Sequence, residues 1–268
     1  MSATGEDAHL VEGFAALASR AGAAILACRG TRGRLKPDGS PVCAGDQQAE
    51  DIILAGLQGL APGVPVVSEE SFDAATASAT DNFILVDPLD GTREFLSGSD
   101  DFTVNIAVIR HGRPVLGCLY APARDALWLA NGDARRFRLP AGAPLASAGA
   151  GEPARTRRWH AGSAIALTSR SHVSEADRAL STRLGASEAH SVGSSLKFAL
   201  IASGEADLYP RAGRIMAWDI AAGHAVLAAA GGELVSLEGA ALDYRAFGKA
   251  FAQHGFIAVG DARALAAL

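Results

Sequence analysis

Apolar side chains recur with a helical period in two segments near the start of the chain. Over residues 7–28 the larger apolar residues that form one stripe are Leu10, Phe14, Leu17, Ala21 and Ile25. Thr4 and Asp7 have capping-box spacing before this stripe, and Gly30 is a stop signal after it. The second segment follows the loop 36–41, and its apolar stripe consists of Ile53, Leu54, Leu57 and Leu60. Both patterns predict helices with one buried face, and Asp46 is placed to cap the second.

Short apolar runs between residues 64 and 129 predict β-strands, because each run is too short for a helix. The runs 64–67 and 83–86 both end directly in carboxylates. The runs 102–109 and 115–120 flank residues 111–114 and predict an antiparallel hairpin with a longer loop. A further strand is predicted at 126–129, so the first half of the chain consists of helices followed by strands.

The composition changes between residues 139 and 158, where Ala, Gly, Pro and Arg dominate and periodicity is weak. This change predicts a boundary between an N-terminal half, 1–150, and a C-terminal half, 151–268; a surface excursion of one domain would have the same composition. Beyond it, strand and helix patterns alternate as in α/β folds. The predicted strands are 164–167, 206–209 and 256–259, and the predicted helices are 174–184, 195–203, 219–230 and 261–268.

Composition narrows the classes of function. The 268 residues are 49% hydrophobic and include 24 basic and 29 acidic side chains, a net charge of −5 that is ordinary for a globular protein. No apolar run reaches the roughly 18 residues of a membrane span, the first residues are acidic, and the three cysteines form no CxxC pair. We expect a cytoplasmic protein, in solution or peripheral at the inner membrane. We expect no nucleic-acid partner, because the cluster Arg155, Arg157 and Arg158 is typical of a solvated face.

Carboxylates collect where predicted strands end and predicted helices begin. The segment 87–92 follows a strand without a spacer; its proline fixes φ and its glycine permits close backbone approach, so that both aspartates can face one pocket. Glu69 follows the preceding strand, and Asp219 begins a helix. Taken singly, each is more simply explained as a turn, a corner or a cap. Taken together, they predict a site for Mg²⁺, which prefers carboxylate and carbonyl oxygens, beside free N–H groups that suit a phosphate.

These carboxylates lie in three longer segments, Glu69-Glu-Ser71, Asp87-Pro-Leu-Asp-Gly-Thr92 and Trp218-Asp-Ile-Ala-Ala-Gly223. Together the segments resemble the signature of the inositol monophosphatase superfamily of Mg²⁺-dependent, lithium-sensitive phosphatases. Over residues 10–256 the chain is most similar to the bacterial 3′(2′),5′-bisphosphate nucleotidases of the CysQ type. That similarity is carried by Phe102-Thr-Val-Asn-Ile106, Leu119-Tyr-Ala-Pro122, Ser169-Arg-Ser-His172, Val192-Gly-Ser-Ser-Leu-Lys-Phe198 and Leu208-Tyr-Pro-Arg211. The resemblance implies an α/β (α+β) fold class, a layered αβαβα sandwich with the metal site where the two halves meet.

The resemblance also implies roles for individual residues. The implied ligands of two or three Mg²⁺ are Glu69, Asp87, the Leu89 carbonyl, Asp90 and Asp219. The implied catalytic residues, which help to activate water, are Asp46, Glu69 and Thr92. The implied substrate-binding residues are Gly91, Thr92, His172, Ser194, Lys197, Arg211 and Asp219. The N-terminal half would then carry most metal ligands, and the C-terminal half would carry Asp219 and the basic residues that bind a second phosphate.

The implied function is removal of the 3′-phosphate from adenosine 3′,5′-bisphosphate to give AMP, by in-line attack of a metal-activated water, with the 5′-phosphosulfate analogue accepted as well. Two alternatives stay open: the same chemistry on inositol monophosphate or another small phosphate, and a nucleotide-binding protein without activity. The second is prompted by Cys43, which stands where the family carries Thr and offers a weaker hydrogen-bond donor. We expect a less rigid loop there, with catalysis retained, and a chain that acts as a monomer or homodimer.

Overall fold

The computed structural model describes residues 5–37, 39–74, 80–160, 162–248 and 250–268; Thr4, the predicted start of the first capping box, lies outside them. Two main β-sheets organise the described chain. The first has seven strands in sequence order: β3 (Val66–Ser68), β4 (Asn82–Asp90), β5 (Thr103–Arg110), β6 (Arg113–Ala121), β7 (Ala126–Asn131), β8 (Asp133–Arg138) and β9 (Glu152–Pro153). A small separate hairpin pairs β1 (Arg34–Leu35) with β2 (Pro41–Val42).

The second sheet has five strands in the order β11-β10-β12-β14-β13. Its strands are β10 (Ala164–Ser169), β11 (Ala186–Val192), β12 (Leu208–Met216), β13 (Glu233–Val235) and β14 (Ala252–Val259). The helices are α1 (Gly5–Ala27), α2 (Ala44–Leu60), α3 (Thr92–Leu96), α4 (Glu175–Arg183), α5 (Leu196–Ala202) and α6 (Ala217–Ala229). The chain passes from the first sheet to the second between residues 153 and 164, a stretch that overlaps the end of the region 139–158 where composition changes.

The elements stack in five layers. Helices α1 and α2 cover one face of the seven-stranded sheet, α5 and α6 lie between the two sheets, and α4 covers the far face of the five-stranded sheet. Each layer buries its apolar face against the next, as packed layers must. The predicted layered αβαβα sandwich is confirmed.

Helix α6 is the centre of the fold. Its side chains are buried almost all round, as expected for a helix that packs against a sheet on each side. The approach to strand β6 is close because Gly117 has no side chain: a Cβ there would lie 2.7 Å from the Ala225 Cβ and 2.9 Å from the Ala222 carbonyl oxygen. This packing fixes the N-terminal turn of α6, which carries Asp219.

Several sequence predictions need correction. The loop between β5 and β6 is two residues long, because His111 and Gly112 both adopt positive φ (50° and 77°) and Arg110 pairs with Arg113. Strand β4 continues to Asp90 through an irregularity in register. The strands β1, β2, β8, β9 and β11 were not predicted. Strand β11 is an edge strand with mostly exposed side chains, so it lacks apolar alternation. The terminal segment Ala262–Ala267 is a 3₁₀ helix.

By length and composition alone, α1 is apolar enough to cross a membrane. Half of the most apolar 18-residue stretch of α1 is buried inside the protein, where the helix packs on α2 and the seven-stranded sheet.

We predict that Gly117→Ala lowers the free energy of unfolding by about 1–3 kcal/mol, because the added methyl overpacks the contact with α6. The matched control is Gly59→Ala in α2, where a Cβ meets no atom within 4 Å and the better helix propensity of alanine should add about 0.5–1 kcal/mol. Urea denaturation of both variants measures the two changes. Equal stability of the two variants would contradict the close approach.

Candidate active site

Three carboxylates meet at one edge of the seven-stranded sheet. Strands β3 and β4 run parallel, so Glu69, directly after β3, and Asp87, near the end of β4, lie at the same edge. Asp219 reaches them from the first turn of α6, where its side chain also accepts a hydrogen bond from the Met216 N–H (3.2 Å). One carboxylate oxygen of each residue lies within 4.8 Å of the others.

This proximity is electrostatically costly. Burial, followed by repulsion from Glu69 and from neighbouring aspartates, raises the pKa of Asp87 well above its usual value. Burial and repulsion from Asp90 and Glu69 do the same to the pKa of Asp219. For Asp90, burial raises the pKa to about 6, against the opposing effects of Lys197 and of the Ser195 N–H, which donates to its carboxylate. The protein keeps these groups together although they disfavour one another's ionisation.

The donor set fits a hard divalent cation. All the converging groups are carboxylates, and the buried Oδ2 of Asp87 has no hydrogen-bond partner among the described residues. A cation placed there would satisfy this oxygen and remove the repulsion that raises the three pKa values. Leu89 and Asp90 line the same cavity as the three clustered carboxylates. The arrangement is therefore able to hold metal ions of the Mg²⁺ type.

Lys36, in the hairpin between β1 and β2, supplies part of the compensating charge. Its ammonium donates to Glu69 (2.9 Å) and to Glu70 (2.6 Å). Burial alone would lower the pKa of Lys36, but the two glutamates raise it above its ordinary value. Burial raises the pKa of Glu70 to about 7 in spite of this contact. Both glutamates thus contact Lys36, and Glu69 also lies beside the other two carboxylates.

Asp46 makes two contacts at the start of α2. Its Oδ2 accepts the Cys43 backbone N–H (2.8 Å) and so caps the start of α2, while its Oδ1 accepts the Thr92 hydroxyl (2.8 Å). The same hydroxyl lies 3.1 Å from the Leu89 carbonyl oxygen. Burial and the adjacent Asp46 carboxylate raise the pKa of the Cys43 thiol to about 12, so the thiol stays protonated near neutral pH. The contact between Asp46 and Thr92 is formed with cysteine at this position.

Gly91 joins strand β4 to α3 in a left-handed conformation, with φ of +93°. A side chain is excluded there, because a Cβ would lie 2.9 Å from the Asp101 carbonyl oxygen and 3.2 Å from the Ser194 Cβ. The glycine therefore lets the turn after Asp90 approach segments from the second half of the chain.

A cavity of about 220 Å³ extends from the carboxylates to a basic wall, which contains Lys197 and Arg211. Every site residue predicted from the sequence lines this cavity except Asp46, which reaches it through Thr92. The predicted residues brought together are Glu69, Asp87, Leu89, Asp90, Gly91, Thr92, His172, Ser194, Lys197, Arg211 and Asp219. The site is assembled from both halves of the chain.

Lys197 is the most buried cation of the wall, with 2% of its surface exposed. Its ammonium donates to the carbonyl oxygens of Val192 (3.1 Å) and Ser194 (2.5 Å) and lies 4.7 Å from the centre of the Tyr209 ring. Burial, helped by the nearby Arg211 and opposed by Asp90, lowers the pKa of Lys197 to about 8. The buried Nε of Arg211 has no hydrogen-bond partner among the described residues. This side of the cavity offers charge and a donor to an anion.

Other residues of the site were missed by the sequence analysis. Lys36, Arg93, Glu94, Ser195 and Tyr209 all touch the carboxylates or line the cavity. Adjacency was the available signal for most of them, because they lie within or directly beside the quoted segments. The link from Lys36 to the glutamates is a long-range contact for which the sequence offers no comparable signal.

We predict that Asp87→Asn stabilises the metal-free protein at pH 8 and removes much of the stabilisation by a divalent cation. A raised folded-state pKa means that the carboxyl's contribution is fully present below its unfolded pKa and is lost as pH rises through the folded pKa. The amide avoids this loss, so in EDTA the variant should melt roughly 2–4 °C above wild type at pH 8, about 1 kcal/mol, with a smaller difference at pH 4. Calorimetry with EDTA or added Mg²⁺ measures both effects. A variant that melts below wild type in EDTA at pH 8 would contradict the prediction.

The comparisons with known proteins agree with this geometry. The sequence profile of the inositol monophosphatase family matches residues 7–267. The 3′(2′),5′-bisphosphate nucleotidase CysQ of Escherichia coli K12 is 41% identical over 211 residues, which cover 78% of this chain and 81% of that protein. An inositol-1-monophosphatase of Mesorhizobium japonicum is 35% identical over 213 residues, covering 76% and 75%. The crystal structure of CysQ from Bacteroides thetaiotaomicron superposes with a TM-score of 0.80 at 31% identity, covering 94% and 97%. The chain belongs to the inositol monophosphatase family.

Proposed function

We propose that this protein is a Mg²⁺-dependent phosphatase that removes the 3′-phosphate of adenosine 3′,5′-bisphosphate, giving AMP. One observation carries the proposal: a single cavity connects a cluster of carboxylates suited to metal ions with a separate wall that contains Lys197 and Arg211. A substrate with two phosphates would place one at each end. The relatives named 3′(2′),5′-bisphosphate nucleotidase support the same substrate class.

The carboxylate end would carry the chemistry. Glu69, Asp87, Asp90, Asp219 and the Leu89 carbonyl would hold Mg²⁺, which when bound neutralises phosphate charge and makes water easier to deprotonate. The Thr92 hydroxyl donates a hydrogen bond to Asp46, so its oxygen is free to accept a hydrogen bond from the attacking water. As that water loses its proton to the hydroxyl oxygen, the hydroxyl proton would pass to the Asp46 carboxylate. Together with Glu69, this pair would orient that water in line with the bond from phosphorus to the sugar oxygen.

The remaining residues would position the substrate. The N–H groups of Gly91 and Thr92 would bind the phosphate that is hydrolysed. Lys197 and Arg211 would bind the other phosphate, whose charge favours the protonated form of Lys197. Ser194 and the exposed His172 lie on the cavity wall where the nucleoside would pass. Hydrolysis of inositol 1-phosphate is the second candidate function, because it needs only the carboxylate end and a relative carries that name.

We further propose a cytoplasmic location, a role in removing a by-product of sulfate assimilation, activity on the 5′-phosphosulfate analogue, and inhibition by Li⁺. Inhibition would show as loss of phosphate release at millimolar Li⁺. These proposals follow from membership of the family and from the substrate class.

We predict that Arg211→Ala lowers kcat/KM for adenosine 3′,5′-bisphosphate by roughly 10–100-fold, the usual effect of losing a charged hydrogen bond. The loss should be small for 3′-AMP and for inositol 1-phosphate, which lack the second phosphate. Arg214→Ala is the matched control, because Arg214 lies exposed on the same strand and meets Arg211 through its backbone carbonyl. Phosphate release from the three substrates measures the effect, and an equal loss on all three would contradict the assignment of the basic wall.

We predict that Thr92→Val lowers kcat by about 100-fold, within the range for a group that assists proton transfer, and leaves KM within a few-fold. Thr92→Ser keeps the hydroxyl and should keep most of the activity, and EDTA should abolish activity in every variant. Steady-state kinetics with Mg²⁺ measures these values. A fully active valine variant would show that the Thr92 hydroxyl is not needed.

A further inference from the structure

Asp101 is a buried carboxylate that lies just outside the cavity and joins three segments of the chain. Its side chain is only 3% exposed. One oxygen accepts a hydrogen bond from Arg124 in the first half of the chain. The other accepts from Arg170 (2.6 Å) and from the Gly193 N–H (3.2 Å), both in the second half. Two guanidinium groups and a backbone N–H thus converge on one carboxylate.

Asp101 contacts two segments of the second half, and both carry residues that line the cavity. Arg170 lies between Ser169 and His172, which line the cavity. Gly193 directly precedes Ser194 and Ser195, which also line it, and lies four residues before Lys197. The Asp101 contacts therefore tie the backbone that presents the substrate-facing side chains, although Asp101 itself does not line the cavity.

The neighbouring contacts repeat this pattern. In the segment after β10, Arg170 is followed by Ser171, whose hydroxyl donates to Glu94 (2.7 Å), and by His172, whose ring nitrogen lies 3.3 Å from a nitrogen of Arg93. Three successive residues of the second half thus contact the stretch 93–101. Asp101 is the only one of these three partners that also binds a further arginine and the Gly193 N–H among the described contacts.

The backbone around Asp101 is closely packed against two glycines. A Cβ on Gly193 would lie 2.6 Å from the Asp101 carbonyl oxygen and 2.8 Å from the Asp101 Cβ. The same carbonyl oxygen limits Gly91, in the turn that follows Asp90. The Asp101 carbonyl oxygen therefore lies between the turn after Asp90 and the segment that begins at Gly193.

We propose that Asp101 is a positioning residue for the substrate: it fixes segments 169–172 and 193–197 against the turn after Asp90, so that the basic wall stands at a set distance from the carboxylates. The identity of the substrate in this inference rests on the proposed function. Loss of the Asp101 contacts weakens binding of a two-phosphate substrate more than it slows the hydrolytic step, because the described hydrogen bonds of its side chain go to Arg124, Arg170 and Gly193 and not to the clustered carboxylates.

The test uses Asp101→Asn in the full chain with Mg²⁺. The amide keeps the size of the side chain and can still accept from Gly193, but it loses the charge that holds Arg124 and Arg170. We expect KM for adenosine 3′,5′-bisphosphate to rise about tenfold, with kcat within about threefold, as for a lost charge-assisted hydrogen bond. Arg170→Ala removes one contact from the more exposed side and should raise KM less. In the variant that combines Asp101→Asn with Arg170→Ala, KM should rise no further than in Asp101→Asn alone, because both changes remove the same contact.

Asp207→Asn is the matched control. Asp207 is equally buried and accepts from Arg157 (2.8 Å) and from the Ile165 N–H (2.7 Å), but it does not line the cavity or touch either segment. The Asp207→Asn variant should lose about as much thermal stability as Asp101→Asn and keep the wild-type KM. A similar rise in KM in Asp207→Asn, or an unchanged KM in both Asp101→Asn and Arg170→Ala, would overturn the proposal.

Hydrogen exchange of the substrate-free protein separates this inference from the proposed function. In Asp101→Asn, and to a smaller extent in Arg170→Ala, amides of segments 169–172 and 193–197 should exchange faster, while those of α1 and α6 stay at the wild-type rate. If wild type fails to hydrolyse the nucleotide, the proposed function fails and the exchange result still decides the role of Asp101. Unchanged exchange in both segments would overturn that role whatever the substrate is.

Discussion

Repulsion among the clustered carboxylates Glu69, Asp87 and Asp219 is the constraint on which the rest of this structure depends. Their oxygens approach within 4.8 Å, and burial together with mutual repulsion raises the pKa of both aspartates. Such a cluster opposes folding in the absence of a cation. The surrounding scaffold therefore has to be rigid enough to hold groups that would otherwise separate, and α6, packed between two sheets, supplies that rigidity for Asp219.

The scaffold places each carboxylate by a different device. Parallel pairing of β3 with β4 brings Glu69 and Asp87 to one sheet edge, and the turn at Gly91 carries the chain back toward the second half. The Asp46 carboxylate has two functions in this scaffold: it caps α2 and accepts a hydrogen bond from the Thr92 hydroxyl. Local structure and the site are therefore not separable here: removing the cap would also release the hydroxyl.

Local patterns predicted what depends on neighbours in sequence, including the amphipathic helices, the strand ends that carry carboxylates and the close backbone approach at Gly91. Strand β11 could not be predicted because it lies at a sheet edge with exposed polar side chains, and the turn at His111 was misjudged because its two-residue geometry depends on the register of the paired strands. The contacts of Lys36 with Glu69 and of Asp101 with Arg170 join residues 33 and 69 positions apart. The periodicity of apolar residues carries no information about such contacts, because they depend on how the layers of the fold pack together.

The division of labour between elements explains how one fold can serve different phosphate esters. Except for Asp219, the carboxylates come from β3 and β4 and their ends, whereas the cationic wall comes from α5 and β12. Changes in α5 or β12 can therefore alter the shape and charge of the cationic wall without disturbing the carboxylate cluster. This separation agrees with relatives of 41% and 35% identity that carry the names of a bisphosphate nucleotidase and an inositol monophosphatase. It also requires a fixed distance between the two parts, and contacts such as those of Asp101, which cross from one half to the other, are where that distance is set.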